Sequence, residues 1–353
     1  MTHLLHLADR ALNRPLLIHP DKAAIILEVL AGRIGIDASP LVPAASRFAA
    51  RSRAGERQLV PVSGGVAVIS IIGTLVNRGA WVGASSGLVS YEGISAQLHE
   101  AATDPAVHSV ILDLDTGGGE AGGITGVAKQ IAALAKQKRV VAVVNDTACS
   151  GGYWIASAAN EIVVSETSMV GSIGVVVLHV NRAGEMKQKG WEPTFIYAGA
   201  HKVDGHSLAP LSDSVRADVQ ASIDALYRSF CQGVAVGRGS RLTEAAARAT
   251  EARVYLGADT IAAGLADRVD SFDAVLRSLQ RAVSAPRGHR RTQAGPATQR
   301  PPKGAAAVAP PGWCATGVKL LPLIGKQASA KKEDVAAILT RSIERINQQR
   351  NRS

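Results

Sequence analysis

Aromatic residues are scarce: Phe, Trp and Tyr make up 4% of the 353 residues. A core built from this chain must be filled by Ala, Val, Ile and Leu, with Gly allowing close backbone approaches. Cysteine is scarcer still. Cys149, Cys231 and Cys314, odd in number and widely spaced, form neither a disulfide framework nor a zinc site, and a reducing compartment is the expectation. The nine histidines show no metal-ligand spacing to a second ligand, so no metal is expected. No uninterrupted apolar run reaches the ~18 residues of a membrane span. The opening MTHLLHLADRALNRPLL carries His, Asp and Arg inside its apolar stretch, which breaks the core that a secretory signal needs. A soluble, non-exported chain is expected. With 46% hydrophobic and 19% charged residues, a globally disordered or collagen-like chain is excluded.

The length predicts one large domain with a tail, or two domains. Net charge is +10, but residues 281–353 hold fourteen Lys/Arg against three acidic residues, +11 for that tail and hence −1 for residues 1–280. The basicity therefore belongs to an appendage, whose expected partners are acidic surfaces or nucleic acid. Seven of the 15 prolines also lie beyond residue 285, and residues 284–330 read as a disordered Pro/Ala/Arg-rich linker. Over 331–353, Val335, Ile338, Leu339, Ile343 and Ile346 fall near helical spacing and predict a short basic amphipathic helix. Residues 1–60 read as a helical segment (DKAAIILEVLAGR) and a connector, leaving 61–283 as the body.

Within the body, VAVISII, SVILDL, VVAVVN, IVVS, VVVLHV (175–180) and TFIY (194–197) read as strands buried on both faces. EGISAQLHEAA, GGITGVAKQIAALAKQ, GGYWIASAA and NRAGEMKQKG read as helices between them. This alternation predicts an α/β protein with mostly parallel strands. After residue 210 the strands are expected to stop, with a long helix over 212–238 and shorter ones near 243–250, 258–265 and 272–282.

Three junctions carry candidate chemistry. In LDLDTGGGEAGG a strand ends at Asp115 and Gly117, Gly118 and Gly119 follow, so backbone N–H groups can face a bound anion or carbonyl; a tight strand-to-helix turn accounts for the same residues. The Gly-Lys-Ser/Thr ending of a nucleotide-triphosphate loop is missing. In VVNDTACSGGYW a strand runs into Ser150, where the helix dipole and the Gly151 N–H can stabilise an alkoxide or oxyanion. Taken alone, a plain N-cap is the commoner role for a serine in that place. Cys149 reads as core. In IYAGAHKVDG a strand delivers His201 and Lys202 to a loop, and either can act as base; a lysine does so only when desolvated, and is otherwise a solvated loop charge.

Taken together, VISIIGTLVNRG, SGLVSYEGI, ILDLDTGGGEAGG, ACSGGYWIASAANEIVVSETSMVGSIGVV, FIYAGAHKVDG and ARVYLGADTIAAGLADRV resemble the signal peptide peptidase A type of serine–lysine proteases, in its phage capsid-assembly (prohead) branch, over about residues 65–280. The resemblance implies a caseinolytic-protease (ClpP)/crotonase-like spiral of βαβ units with oligomerising C-terminal helices. It also implies a serine endopeptidase that needs no cofactor. By motif position, Ser150 matches the nucleophile, Lys202 the general base and Ser172 the hydroxyl that positions the lysine. Gly118 and Gly151 match the oxyanion hole, and His201 is only a neighbour. Thr116 and Gly117 stand where the family has Ser-Pro, which removes proline's fixed φ from that loop. Scaffold or capsid proteins, and the chain itself, are the implied substrates, with serine and lysine supplied by adjacent protomers of a homo-oligomer, in the bacterial cytoplasm or prohead. Two other readings fit parts of this pattern: crotonase-type acyl-CoA chemistry, and a non-enzymatic assembly or nucleic-acid-binding factor with a degenerate protease body. A cellular signal-peptide-peptidase-like protease is a further alternative.

Overall fold

The computed structural model describes residues 15–18, 59–79 and 87–284. The linker expected over 284–330 lies outside them except for Ser284, as do the helix expected over 331–353 and most of the segment 1–60. The β-branched runs form strands: β1 (Leu16–Ile18), β2 (Val62–Ser63), β3 (Val66–Ile72), β4 (Thr74–Val76), β5 (Leu88–Ser90), β6 (Ser109–Thr116), β7 (Gly118–Glu120), β8 (Arg139–Cys149), β9 (Glu161–Val164), β10 (Met169–Gly171), β11 (Val254–Leu256) and β12 (Arg268–Val269). The helices are α1 (Tyr91–Thr103), α2 (Ile124–Ala135), α3 (Gly151–Ser157), α4 (Ala183–Gln188), α5 (Asp213–Arg238), α6 (Glu244–Ala249), α7 (Asp259–Ala262) and α8 (Phe272–Ser284).

Strands β3, β6 and β8 pair in parallel at the centre of an eight-stranded sheet. Their side chains alternate between two covered faces, as the period of a pleated strand requires. Ala67, Ile69, Val110, Leu112, Val140 and Ala142 join the large core with α1, α2 and α3, whereas Val66, Val68, Ile111, Val141 and Val143 pack with Phe272 and Val275 of α8. Strand β8 then branches: Val141–Val144 pair with β9, and Thr147–Cys149 pair with β10. Between Leu114 and Thr116 the register against β6 slips, with Thr116 opposite Ala148, a bulge that redirects the end of β8. A second sheet of four strands runs β1-β7-β4-β5.

At its C-terminal end α5 packs closely on α3. Trp154 stacks on Phe230 at 4.8 Å, and a Cβ at Gly237 would lie 2.1 Å from the Ser157 carbonyl oxygen. Here Arg238, 1% exposed, donates from both terminal nitrogens to Asp267 at 2.9 Å and also to the Gly264 carbonyl. Desolvation pushes the Asp267 carboxyl up, but the Arg238 hydrogen bonds and the Ile162 N–H outweigh it and hold the carboxyl below its ordinary range.

Three expectations fail in an informative way. VVVLHV and TFIY are not strands, and neither is buried as expected. Val176 makes only an isolated bridge to Leu16, and Ile196 is 98% exposed. Their β-branched composition is real, but beyond the single bridge from Val176 to β1 neither run pairs with a described strand, and propensity without a partner along the run does not make a sheet. Strands also continue past residue 210: β11 extends the sheet antiparallel to β10, and β12 pairs with β9. The described part of 1–60 includes β1, a strand where a helical segment was expected.

Candidate active site

The β8 bulge delivers Ser150 to the mouth of α3. Helices α1, α5 and α6 begin at a capping hydroxyl: Ser90, Ser212 and Thr243 have φ of −90, −68 and −76° and accept N–H bonds on their side chains. Ser150 does neither. It sits at φ 55°, ψ −121°, and its side chain makes no cap bond. A non-glycine residue held there is strained by ~1–3 kcal/mol, and capping does not account for that. The conformation is pinned on both sides: the Ser150 N–H donates to Gly171 O at 2.8 Å, and its carbonyl accepts from Tyr153 and Trp154. The hydroxyl donates to Gly174 O at 3.4 Å. Cys149, one residue earlier, is buried in the core, where desolvation pushes its thiol up to about 12; it stays protonated and a poor nucleophile.

The glycine loop lies against this serine. Thr116 Oγ1 donates to Gly73 O and accepts the Gly118 N–H at 3.1 Å. The N–H of Gly118, expected in an oxyanion hole, is thus taken up by Thr116. The residue opposite Leu17 in the β1–β7 register is instead Gly119. Gly118 matters for space: at φ +93°, a Cβ there would lie 2.0 Å from Leu17 O and 2.9 Å from Gly151 N. At Gly119 it would lie 1.9 Å from Leu75 O. Both positions tolerate only glycine.

Ser172 follows β10, whose Gly171 pairs with Cys149, so Ser172 and Ser150 leave neighbouring strand ends together. Ser172 is buried, at φ 52°, with its N–H on Arg253 O at 2.8 Å. Lys202 stands apart from this cluster. It is exposed in a turn closed by its N–H on Gly199 O, and no hydrogen bond joins its amine to Ser150 or Ser172. Beside it, His201 Nδ1 pairs with Asp204 at 2.8 Å, which raises the imidazole above its ordinary range. His201, Asp204 and Asp218 bring one ligand atom each within 4.8 Å of one another, a grouping the sequence spacing hides; all three are exposed. Sequence reasoning also missed β1, because three residues are too few to show a period.

No described helix is long and apolar enough to cross a membrane. The model of Peptidase family S49 matches residues 132–285. The chain is 39% identical to Capsid assembly protease C of Escherichia phage lambda over 288 residues, covering 78% of this chain and 65% of that protein. It is 38% identical to Head-tail preconnector protein GP5 of Enterobacteria phage P21 over 286 residues, covering 77% of this chain and 56% of the relative. It therefore spans less than two thirds of the length of both. Among solved structures, an enoyl-CoA hydratase/isomerase family member matches with a TM-score of 0.38 at 17% identity, over 64% of this chain and 74% of the other.

Proposed function

Because the chain belongs to peptidase family S49, we propose that it is a serine endopeptidase acting through Ser150 and Lys202, in a ClpP/crotonase-like assembly of copies. Ser150 Oγ attacks the substrate carbonyl while Lys202 Nζ takes its proton. The oxyanion is held by the N–H groups of Gly151 and of Gly119, which takes the place first expected for Gly118. Lys202 then returns the proton to the leaving amine, and water hydrolyses the acyl-enzyme. Ser172, buried beside Ser150, orients the arriving lysine amine.

The observation that carries this reading is the strained, uncapped conformation of Ser150 among backbone amides. The exposed lysine supports a site completed between copies. Residues 183–205, including α4 and the Lys202 turn, contain no buried side chain, and Trp191, Phe195, Ile196 and Tyr197 are exposed along that arm. Apolar surface of this kind calls for a covering partner. Peptide segments of scaffold or capsid proteins are the proposed substrates, in keeping with the names of the two phage relatives.

The test is labelling by a fluorophosphonate probe in the assembled protein, followed by mixing Ser150→Ala with Lys202→Ala. Labelling confined to Ser150, with activity regained in mixed oligomers, is expected. An unlabelled Ser150 would overturn the chemistry, and no recovery despite demonstrated subunit exchange would overturn the sharing.

A further inference from the structure

Ser150 is 1% exposed, and a nucleophile that must meet polypeptides cannot do so from under cover. The segment beside it is the chain's own β1. Leu16 exchanges both backbone hydrogen bonds with Val176, at 2.9 and 3.0 Å. Leu17, one residue on, therefore presents its N–H and C=O to the opposite side, toward its register partner Gly119. Ala121 N–H reaches Pro15 O at 3.4 Å. A three-residue strand is thus held from both edges, between the glycine strand and the segment that follows Ser172. The Leu17 carbonyl oxygen points at the glycines flanking Ser150: it lies where Cβ atoms at Gly118 and Gly151 would come within 2.0 and 3.3 Å. Leu16, Leu17 and Ile18 are all buried, and Leu17 packs in one cluster with Leu75 and Ile124.

We propose that Leu16–Ile18 fills the peptide-binding groove of its own chain as a substrate-like strand, with Leu17 in the position whose carbonyl faces Ser150, so that this segment competes with substrate for an aliphatic-selective groove. This rests on the peptidase reading for the role of Ser150, but the strand-binding groove is tested without catalysis. An added strand supplies main-chain hydrogen bonds on both edges and side-chain pockets for selectivity. A groove lined by Leu75 and Ile124 selects a leucine-sized residue and rejects a charge.

The experiment uses a fluorescein-labelled decapeptide of residues 11–20, ALNRPLLIHP, and the full chain carrying Ser150→Ala to prevent turnover. Adding Leu17→Arg, which expels the native strand from a buried site, is expected to tighten binding of the decapeptide at least tenfold by anisotropy. The same peptide with aspartate at the leucine matching Leu17 is expected to bind at least tenfold more weakly. Should circular dichroism show that Leu17→Arg fails to fold, Leu16→Pro makes the same comparison without burying a charge, by removing the N–H donated to Val176 and fixing φ at that residue. Equal binding with and without the native strand, or no binding to either, overturns the proposal. Tightened binding, together with a Ser150 that never takes the fluorophosphonate in the chain that retains it, upholds the groove and overturns the peptidase reading; normal labelling of that chain without peptide binding does the reverse.

Discussion

Two regions of this molecule share a residue vocabulary and differ in fate. VVAVVN in β8 is buried between parallel neighbours on both sides. VVVLHV and TFIY, equally rich in β-branched and aromatic residues, form no strand: the first meets β1 only through the Val176–Leu16 bridge, and Ile196 of the second stands open. The first region ends in Ser150, fixed by backbone bonds, and the second carries Lys202, fixed only by its own turn. In the proposed mechanism, the nucleophile half of the site is the one finished by the fold of one chain, and the base half is the one that waits on a second copy. The comparison teaches that strand propensity alone does not make a strand; a partner along the whole run does.

The sharpest way to break that contrast is to remove each half. Ser150→Ala and Lys202→Ala are each expected to lower peptide hydrolysis by ~10³-fold or more, as losing one member of a catalytic unit does. Their stabilities should separate from their activities: Lys202 is exposed, and its loss is expected to shift unfolding by less than ~0.5 kcal/mol in urea titrations. A Lys202→Ala variant that kept full activity would remove the second region from the site.

Next in size is the ion pair that ties the end of α5 to Asp267, just before β12. Asp267→Asn leaves the buried Arg238 without its carboxylate, at an expected cost of about 3 kcal/mol in urea unfolding. The pH dependence has a fixed sign. The folded carboxyl lies below its ordinary range, so its contribution is present above the unfolded value of ~3.9 and is lost as pH falls through the lower folded value. Wild type should lose stability over that acid window, and Asp267→Asn should lose less there. Equal acid sensitivity would show that other carboxylates dominate.

How much of this was legible in the sequence follows the same division. Runs whose partners lie in the body, such as SVILDL and VVAVVN, were readable because a near-continuous β-branched run of that length fits a strand buried on both faces. The strand-to-helix junction at Ser150 and Gly151 was readable from a buried run ending in Ser-Gly-Gly, but the strained, uncapped backbone of Ser150 was not, because an N-cap fits the same residues. The tilt of the Gly118 N–H onto Thr116 was not readable, because it depends on a hydroxyl two residues away and on Gly73 across the sheet. Nor was β1, a short stretch inside an apparently helical segment, placed by contacts with Gly119 and Val176 that lie more than 100 residues further along. The late strands β11 and β12 were hidden for the same reason: at three and two residues, position at the edges of an existing sheet makes them strands.

A smaller effect distinguishes the two neighbours at the end of β8. Successive strand residues point to opposite faces, and Cys149 faces the core with its thiol pushed up to about 12. Alkylation by iodoacetamide at pH 8 is therefore expected to leave fluorophosphonate labelling of Ser150 intact, and Cys149→Ala should cost only about 1 kcal/mol, the loss of a small buried group. Inactivation by the thiol reagent with modification mapped to Cys149 would move the nucleophile by one residue.

The smallest expected change in stability comes from the most exposed apolar residue. Ile196→Asp places a charge where the single chain has only solvent, so thermal unfolding of the isolated chain should shift by no more than ~0.5 kcal/mol. If TFIY is covered by another copy, the same charge must be desolvated at that interface, a cost of several kcal/mol when unpaired. Assembly should then fail in sedimentation velocity while the fold persists, and hydrolysis should fall with it because Lys202, six residues on, no longer reaches a neighbour's Ser150. A variant that assembles and hydrolyses like wild type would mean that the exposed arm carries its strand-like sequence for some purpose other than completing the site.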